Sequence, residues 1–203
     1  MKLLVATRSG GKQREARRLL EAAGHAVLFP DECGLIERSE EDQLETGDSF
    51  EANARRKAEY FAWLSGLPTV ADDSGLEVLS LGGAPGVRSK RWAGATGSAE
   101  SVDAANNTEL LRRLQGAPEA RRKARYRCVL ALVRWVNTVP EFFEGACSGR
   151  ILTAPEGVGG FGYDPLFWSD DLGKSFGLAS AEEKDAVSHR GRALARLVAA
   201  LTV

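Results

Sequence analysis

Apolar positions along the chain fall into short blocks separated by stretches of helical period. Leu3 to Ala6 forms a compact apolar run, the pattern of a short buried strand. From Lys12 to Ala23 the apolar residues Ala16, Leu19, Leu20 and Ala23 share one helical face, and Gly24 is placed as the stop. Ala26 to Phe29 predicts a second strand, and the acidic span from Asp31 to Asp48 has the character of a loop. Ser49 can cap a helix running through Phe50, Ala54, Ala58 and Phe61 to Leu64, ended by Gly66 and Pro68. Thr69-Val70-Ala71 predicts a third strand, Gly82 to Gly86 a turn, and Ser98 or Ser101 to Leu114 a helix. Tyr126 to Val133 and Glu141 to Cys147 are β-rich, Leu166-Phe167-Trp168 is strand-like, and a last helix spans Ser188 to Leu201. Such alternation predicts an α/β fold. No repeat or linker divides the 203 residues, so one domain over 1–203 is expected.

Composition narrows the class of partner. With 43% hydrophobic and 27% charged residues the chain is an ordinary globular sequence, and a net charge of −1 offers no field for a nucleic-acid polymer. No apolar run approaches the roughly 20 residues of a membrane span. Leu3-Leu4-Val5-Ala6 is cut by Arg8, unlike a signal peptide. Cys33, Cys128 and Cys147 are odd in number and widely spaced, the pattern of reduced cytoplasmic thiols.

Five groups of residues carry chemistry. Thr7-Arg8-Ser9-Gly10-Gly11-Lys12 joins the first strand to the first helix. Unpaired N–H groups at a helix start, with hydroxyls and cationic side chains nearby, suit a phosphate. The segment is not a Walker loop, because Ala6 stands where the first glycine belongs and Gln13 follows the lysine. Asp72-Asp73-Ser74-Gly75 follows the third strand, where adjacent carboxylates point to opposite sides. One could hold structure while the other binds Mg²⁺ or deprotonates a water, or both could merely cap a turn. Glu45, in the acidic loop, is a candidate second carboxylate, while Asn53 and Lys57 share one helical face. Gly157 to Pro165 sets Phe161 and Tyr163 in a glycine-rich backbone, suited either to stacking on a flat ligand or to capping a hairpin. Gly157, Gly159 and Gly162 match G-x-G-x-x-G, but a strand rather than a helix follows, so the dinucleotide reading fails. His189 and Arg190 at a helix start oppose its dipole, which a nearby anion or ligand would explain.

Taken together, A-T-R-S-G-G-K, E-T-G-D-S-F-E-A-N-A-R-R-K-A, A-D-D-S-G-L-E-V, L-G-G-A-P-G-V, G-G-F-G-Y-D-P-L-F and E-K-D-A-V-S-H-R-G occur in order along the whole chain. In these segments the chain resembles the inosine/xanthosine triphosphate pyrophosphatase family, which removes aberrant purine nucleotides. The resemblance implies an elongated mixed β-sheet with flanking helices, two lobes around a deep nucleotide-binding cleft, and a homodimer. It implies Mg²⁺-dependent hydrolysis of ITP, dITP or XTP to the monophosphate and pyrophosphate.

Carried onto this chain, the resemblance gives Thr7, Arg8, Ser9, Gly10, Gly11, Lys12 and Lys57 to the triphosphate, with Asn53 beside Lys57. Asp73 becomes the general base, Asp73 and Glu45 the metal ligands, and Asp72 their support. Ser74, Phe161, Gly162, Tyr163, Asp164, Lys184, His189 and Arg190 fall to substrate binding, with Phe161 stacking on the base. Arg8 and Ser9 depart from the glycine and asparagine usual in the first loop, and Arg8 is expected to reach the polyphosphate. Rival readings are a pyrophosphatase for other modified nucleotides and an inactive nucleotide-binding regulator; a mere binder has no need of Asp73.

Overall fold

A computed structural model describes residues 1–202. In chain order it places β1 (Lys2–Val5), α1 (Gly10–Ala22), β2 (Ala26–Leu28), α2 (Phe50–Ser65), β3 (Thr69–Val78), α3 (Ala99–Arg113) and β4 (Lys123–Val133). Then follow β5 (Glu141–Ile151), β6 (Phe167–Ser169), β7 (Lys174–Ser175), α4 (Ala181–Val187) and α5 (His189–Leu201), with short 3₁₀ turns in the connections. Among the described residues the strands form one seven-stranded sheet in the order β2-β1-β3-β4-β5-β6-β7. β1 runs parallel to β2 and β3, and β6 antiparallel to β5 and β7, so the sheet is mixed.

The chain divides into two compact units. One holds Met1–Asp73, Cys128–Gly145 and the chain from Arg190 onward; the other holds Ser74–Arg127 and Ala146–His189. The first packs Leu3, Val5, Leu20, Val70, Leu130 and Leu197 into a core. The second packs Leu76, Leu110, Tyr126, Ile151, Phe167 and Phe176.

Local chemistry accounts for most boundaries. The Ser49 hydroxyl accepts the Ala52 N–H and opens α2, and Gly66 at φ 67° closes it. The largest departure from expectation is β3, which continues through Asp72-Asp73-Ser74-Gly75 to Val78 instead of turning after Ala71. Both carboxylates therefore lie within a strand, where successive side chains leave opposite faces. The acidic span contributes two 3₁₀ turns, and α4 was not anticipated.

Candidate active site

In the first unit the site grows from three elements: β1 with the start of α1, α2, and the middle of β3. No side chain caps α1, whose first turn contains Gly10, Gly11 and Lys12 and no acidic residue. A helix start of this kind presents N–H groups and partial positive charge. Thr7 is buried, its hydroxyl accepts the Ser9 N–H at 3.2 Å, and Gln13 Nε2 donates to its carbonyl at 3.1 Å.

The two β3 carboxylates have different surroundings. Asp72 is buried, 3.0 Å from Lys12 Nζ, and accepts Arg190 Nε and Nη2 at 3.3 and 3.2 Å. Burial alone would raise its pKa, but Lys12, Arg190 and Lys57 together hold the carboxyl far below the usual range. Arg190 also pairs with buried Glu15. Asp73 accepts the Asn53 Nδ2–H at 2.8 Å, and the Asn53 Oδ1 accepts the Gly47 N–H at 2.7 Å. Burial pushes the Asp73 carboxyl up to about 6, opposed by Lys57 and Lys12 and aided by the charge of Glu45. Lys57 pairs directly with Glu45. Desolvation works against the Lys57 ammonium, yet Glu45, Asp72 and Asp73 outweigh it and raise its pKa. Two carboxylates thus flank a cation at the strand–helix contact, one of them poised near neutrality.

Among the described residues no three His, Cys, Asp or Glu side chains converge into a complete metal centre. A hard divalent cation is commonly held by one or two carboxylates and completed by water and substrate phosphate, so the pair Glu45 and Asp73 fits that use. The charge of Glu45 raising the Asp73 pKa marks a pair that a cation would relieve. Asp72, expected to support the metal, pairs with Lys12 and Arg190.

The second unit gathers the aromatic segment. Phe161 is half-buried, and its N–H donates to Asp164 Oδ2 at 2.8 Å. Lys184 Nζ pairs with the same carboxylate and stands 4.7 Å from the Phe161 ring centroid, a cation–π distance. Gly162 has φ 63°. His189 is buried and stacks on Tyr126, ring centroids 4.5 Å apart and planes 6° from parallel. Ser74, half-buried on β3, belongs to this unit.

Four of the expected site residues have side-chain partners within the protein. Arg8 does not point a free guanidinium at the loop: Glu41 holds it in two bonds of 2.7 and 2.8 Å, with Asp31 and the Leu35 carbonyl taking the rest. Tyr163 is buried, its hydroxyl donating to the Ser89 carbonyl at 2.8 Å, so Phe161 alone of the pair keeps an accessible ring. Arg190 is 3% exposed and pairs with Glu15 and Asp72 in the first unit. Asn53, expected at the substrate, is fully buried and acts on Asp73. The glycines of the false dinucleotide match have their own reason. A Cβ at Gly157 would lie 2.1 Å from the Gly177 carbonyl oxygen, and Gly159 donates to that oxygen.

Glu15, Asp103 and Asn107 were missed by the sequence. An acidic residue next to Ala16 on the apolar face of α1 was the available sign for Glu15; Asp103 and Asn107 meet Gly162 only through the fold.

The chain is thus a mixed α/β protein with a carboxylate–lysine cluster beside an uncapped helix start, an arrangement suited to a phosphate. The same fold occurs in the solved HAM1 protein from Coxiella burnetii, at a TM-score of 0.85 and 34% identity over 100% of this chain and 98% of that one. A nucleoside-triphosphatase / dITP/XTP pyrophosphatase from Mycobacterium abscessus matches at a TM-score of 0.73 and 43% identity, covering 97% and 98%. A dITP/XTP pyrophosphatase of Anaeromyxobacter sp. (strain Fw109-5) is 42% identical over 97% of this chain and 95% of its own length. Another, of Syntrophobacter fumaroxidans, is 48% identical over 96% and 79%. The chain belongs to the Ham1 family, whose model matches residues 3–200.

Proposed function

We propose that this chain hydrolyses aberrant purine nucleoside triphosphates of the dITP, ITP and XTP type to the monophosphate and pyrophosphate. The observation that carries the reading is Asp73: a buried carboxylate with its pKa pushed up to about 6, oriented by Asn53 and flanked by Lys57, Lys12 and Glu45. The names of the relatives support the substrate class. We assign the phosphates to the N–H groups at the start of α1, Thr7, Ser9, Lys12 and Lys57, and the base to Phe161, with Ser74, Lys184 and His189 around it.

The Asp73 carboxylate is suited to take a proton from water as the water attacks the α-phosphorus. Asn53 fixes the oxygen that does so. Lys12 and Lys57 meet the charge that develops on the phosphate oxygens, and their partners Asp72 and Glu45 hold both ammonium groups in place. Glu45 and Asp73 would hold the divalent cation, which we take to be Mg²⁺. When bound, the cation neutralises phosphate charge and steadies the leaving pyrophosphate. The lysine ammonium over Phe161 favours a ring locked in one orientation as a stacking platform.

No helix among the described residues is long and apolar enough to cross a membrane. Work in the cytoplasm as a homodimer completes the proposal, supported by the odd number of widely spaced cysteines and by the family resemblance. The test is a panel of purine and pyrimidine triphosphates with Mg²⁺, the nucleotide product and pyrophosphate being quantified separately. Preferential release of pyrophosphate from dITP and XTP supports the reading; equal inactivity on all nucleotides sinks it.

A further inference from the structure

Phe161 sits between two left-handed glycines, Gly160 at φ 74° and Gly162 at φ 63°. Glycine has the widest conformational freedom of any residue, so a free loop of this composition would place the ring correctly only part of the time. Here three successive peptide links are held by side chains. Asp164 Oδ2 accepts the Phe161 N–H; one link on, Asp103 Oδ2 accepts the Gly162 N–H at 2.7 Å; beyond it Asn107 Nδ2 donates to the Gly162 carbonyl at 2.9 Å.

Asp103 and Asn107 are four residues apart and therefore neighbours on one face of α3. That helix is itself anchored. Buried Arg122 donates to the Leu114 carbonyl at its C-terminal end and to the Leu152 carbonyl, while Asn106 donates to the Ser89 and Lys90 carbonyls. Gly160 is tied to the same arrangement, since a Cβ there would lie 2.0 Å from Asp164 Oδ2.

We infer that Asp103 and Asn107 are positioning residues for base recognition: by engaging both polar groups of the Gly162 backbone they fix the Phe161 ring as a preformed stacking surface. The inference rests on the assignment of Phe161 to the base. Ligand affinity falls in proportion to the competent fraction of a loop. Loss of one charge-assisted bond from Asp103 reduces that fraction roughly tenfold, and loss of the neutral Asn107 bond about threefold to tenfold. The effect is confined to ligands that carry a base.

The test uses the full chain with Mg²⁺ and two probes: a non-hydrolysable imido analogue of ITP, and inorganic tripolyphosphate, which has no base. Asp103→Ala and Asn107→Ala should weaken the ITP analogue and raise KM for dITP by these factors, with kcat within about threefold of the parent and tripolyphosphate binding unchanged. Asp103→Asn keeps an acceptor for the Gly162 N–H and should recover most of the affinity. Asn107→Asp, of the same shape, loses the donor, sets a carboxylate against the carbonyl and should weaken the analogue at least as much as alanine. This isosteric pair decides the matter if the alanine variants do not fold. Unchanged affinity for the ITP analogue in Asn107→Asp overturns the inference, as does equal loss of both probes. A parent that binds tripolyphosphate but not the ITP analogue overturns instead the functional assignment on which it rests.

Discussion

Replacing Asn53 by alanine should slow turnover, move the acid limb of the pH profile upward and destabilise the fold together, because one buried amide serves all three. Asn53 is 0% exposed, donates to Asp73 Oδ2 at 2.8 Å and accepts the Gly47 N–H at 2.7 Å. A hydrogen bond to a buried charged group contributes about 1.5–3 kcal/mol, and the stranded Gly47 N–H costs about 1–3 kcal/mol more. The expected loss of stability is therefore about 2.5–6 kcal/mol; at roughly 2–4 °C per kcal/mol for a chain of this size, Tm falls by roughly 5–24 °C. The bond to Asn53 favours ionised Asp73, so its removal raises a pKa that already stands at about 6. The acid limb of kcat/KM should therefore move upward. With Asp73 no longer oriented, kcat should fall by on the order of 10²-fold at saturating substrate. The assay is pyrophosphate release from dITP between pH 5 and 9 at fixed Mg²⁺, alongside thermal unfolding. An Asn53→Ala enzyme with the parental acid limb and kcat within twofold, whatever its Tm, would refute the claim that this amide positions the base.

Three further outcomes follow from the same geometry. In metal-free buffer Asp73→Asn should gain stability relative to the parent as pH rises from 4 to 7: the Asp73 pKa is raised by folding, so its favourable contribution is present below the unfolded value near 3.8 and lost as pH passes about 6, a swing on the order of 3 kcal/mol seen as diverging unfolding midpoints. Arg8→Gly should lower stability by about 1–3 kcal/mol in urea titrations while leaving KM for the triphosphate within twofold, because the guanidinium is spent on Glu41 and Asp31; weaker substrate binding at unchanged stability would contradict this. Arg190→Met should cost about 3–5 kcal/mol, since it takes the guanidinium from buried Glu15 and leaves Asp72 to Lys12, and a variant of parental stability would contradict the pairing.

Elements governed by their own residues were legible in the sequence. α2 announced itself by Ser49 at one end and Gly66 at the other, and α5 by its apolar period. β3 was cut short because Asp72 and Asp73 interrupt its apolar run. Within the strand Lys12, Arg190 and Asn53, from distant parts of the sequence, supply them with partners. α4 was overlooked although Ser180 and Glu183 form a capping box, a signal visible at S-x-x-E spacing. The chemistry divides in the same way. The residues that make Asp73 a candidate stand out as polar groups crowded at a strand and a helix start, but whether a charge faces ligand or protein depends on contacts across tens of residues. Arg8 and Glu41 are 33 positions apart, Arg190 and Glu15 175, and Asp103 and Gly162 59; no local pattern couples them.

The central claim is that Asp73 promotes attack of water on the α-phosphorus, and isotope placement tests it most directly. dITP would be turned over with Mg²⁺ in water enriched in ¹⁸O by the parent and by Asp73→Asn, and both products weighed by mass spectrometry. The account predicts one pyrophosphate per monophosphate, the label in the monophosphate alone, and a loss of turnover on the order of 10²–10⁴-fold in Asp73→Asn with nucleotide binding retained. Release of orthophosphate, label in the pyrophosphate, or parental turnover in Asp73→Asn would contradict it.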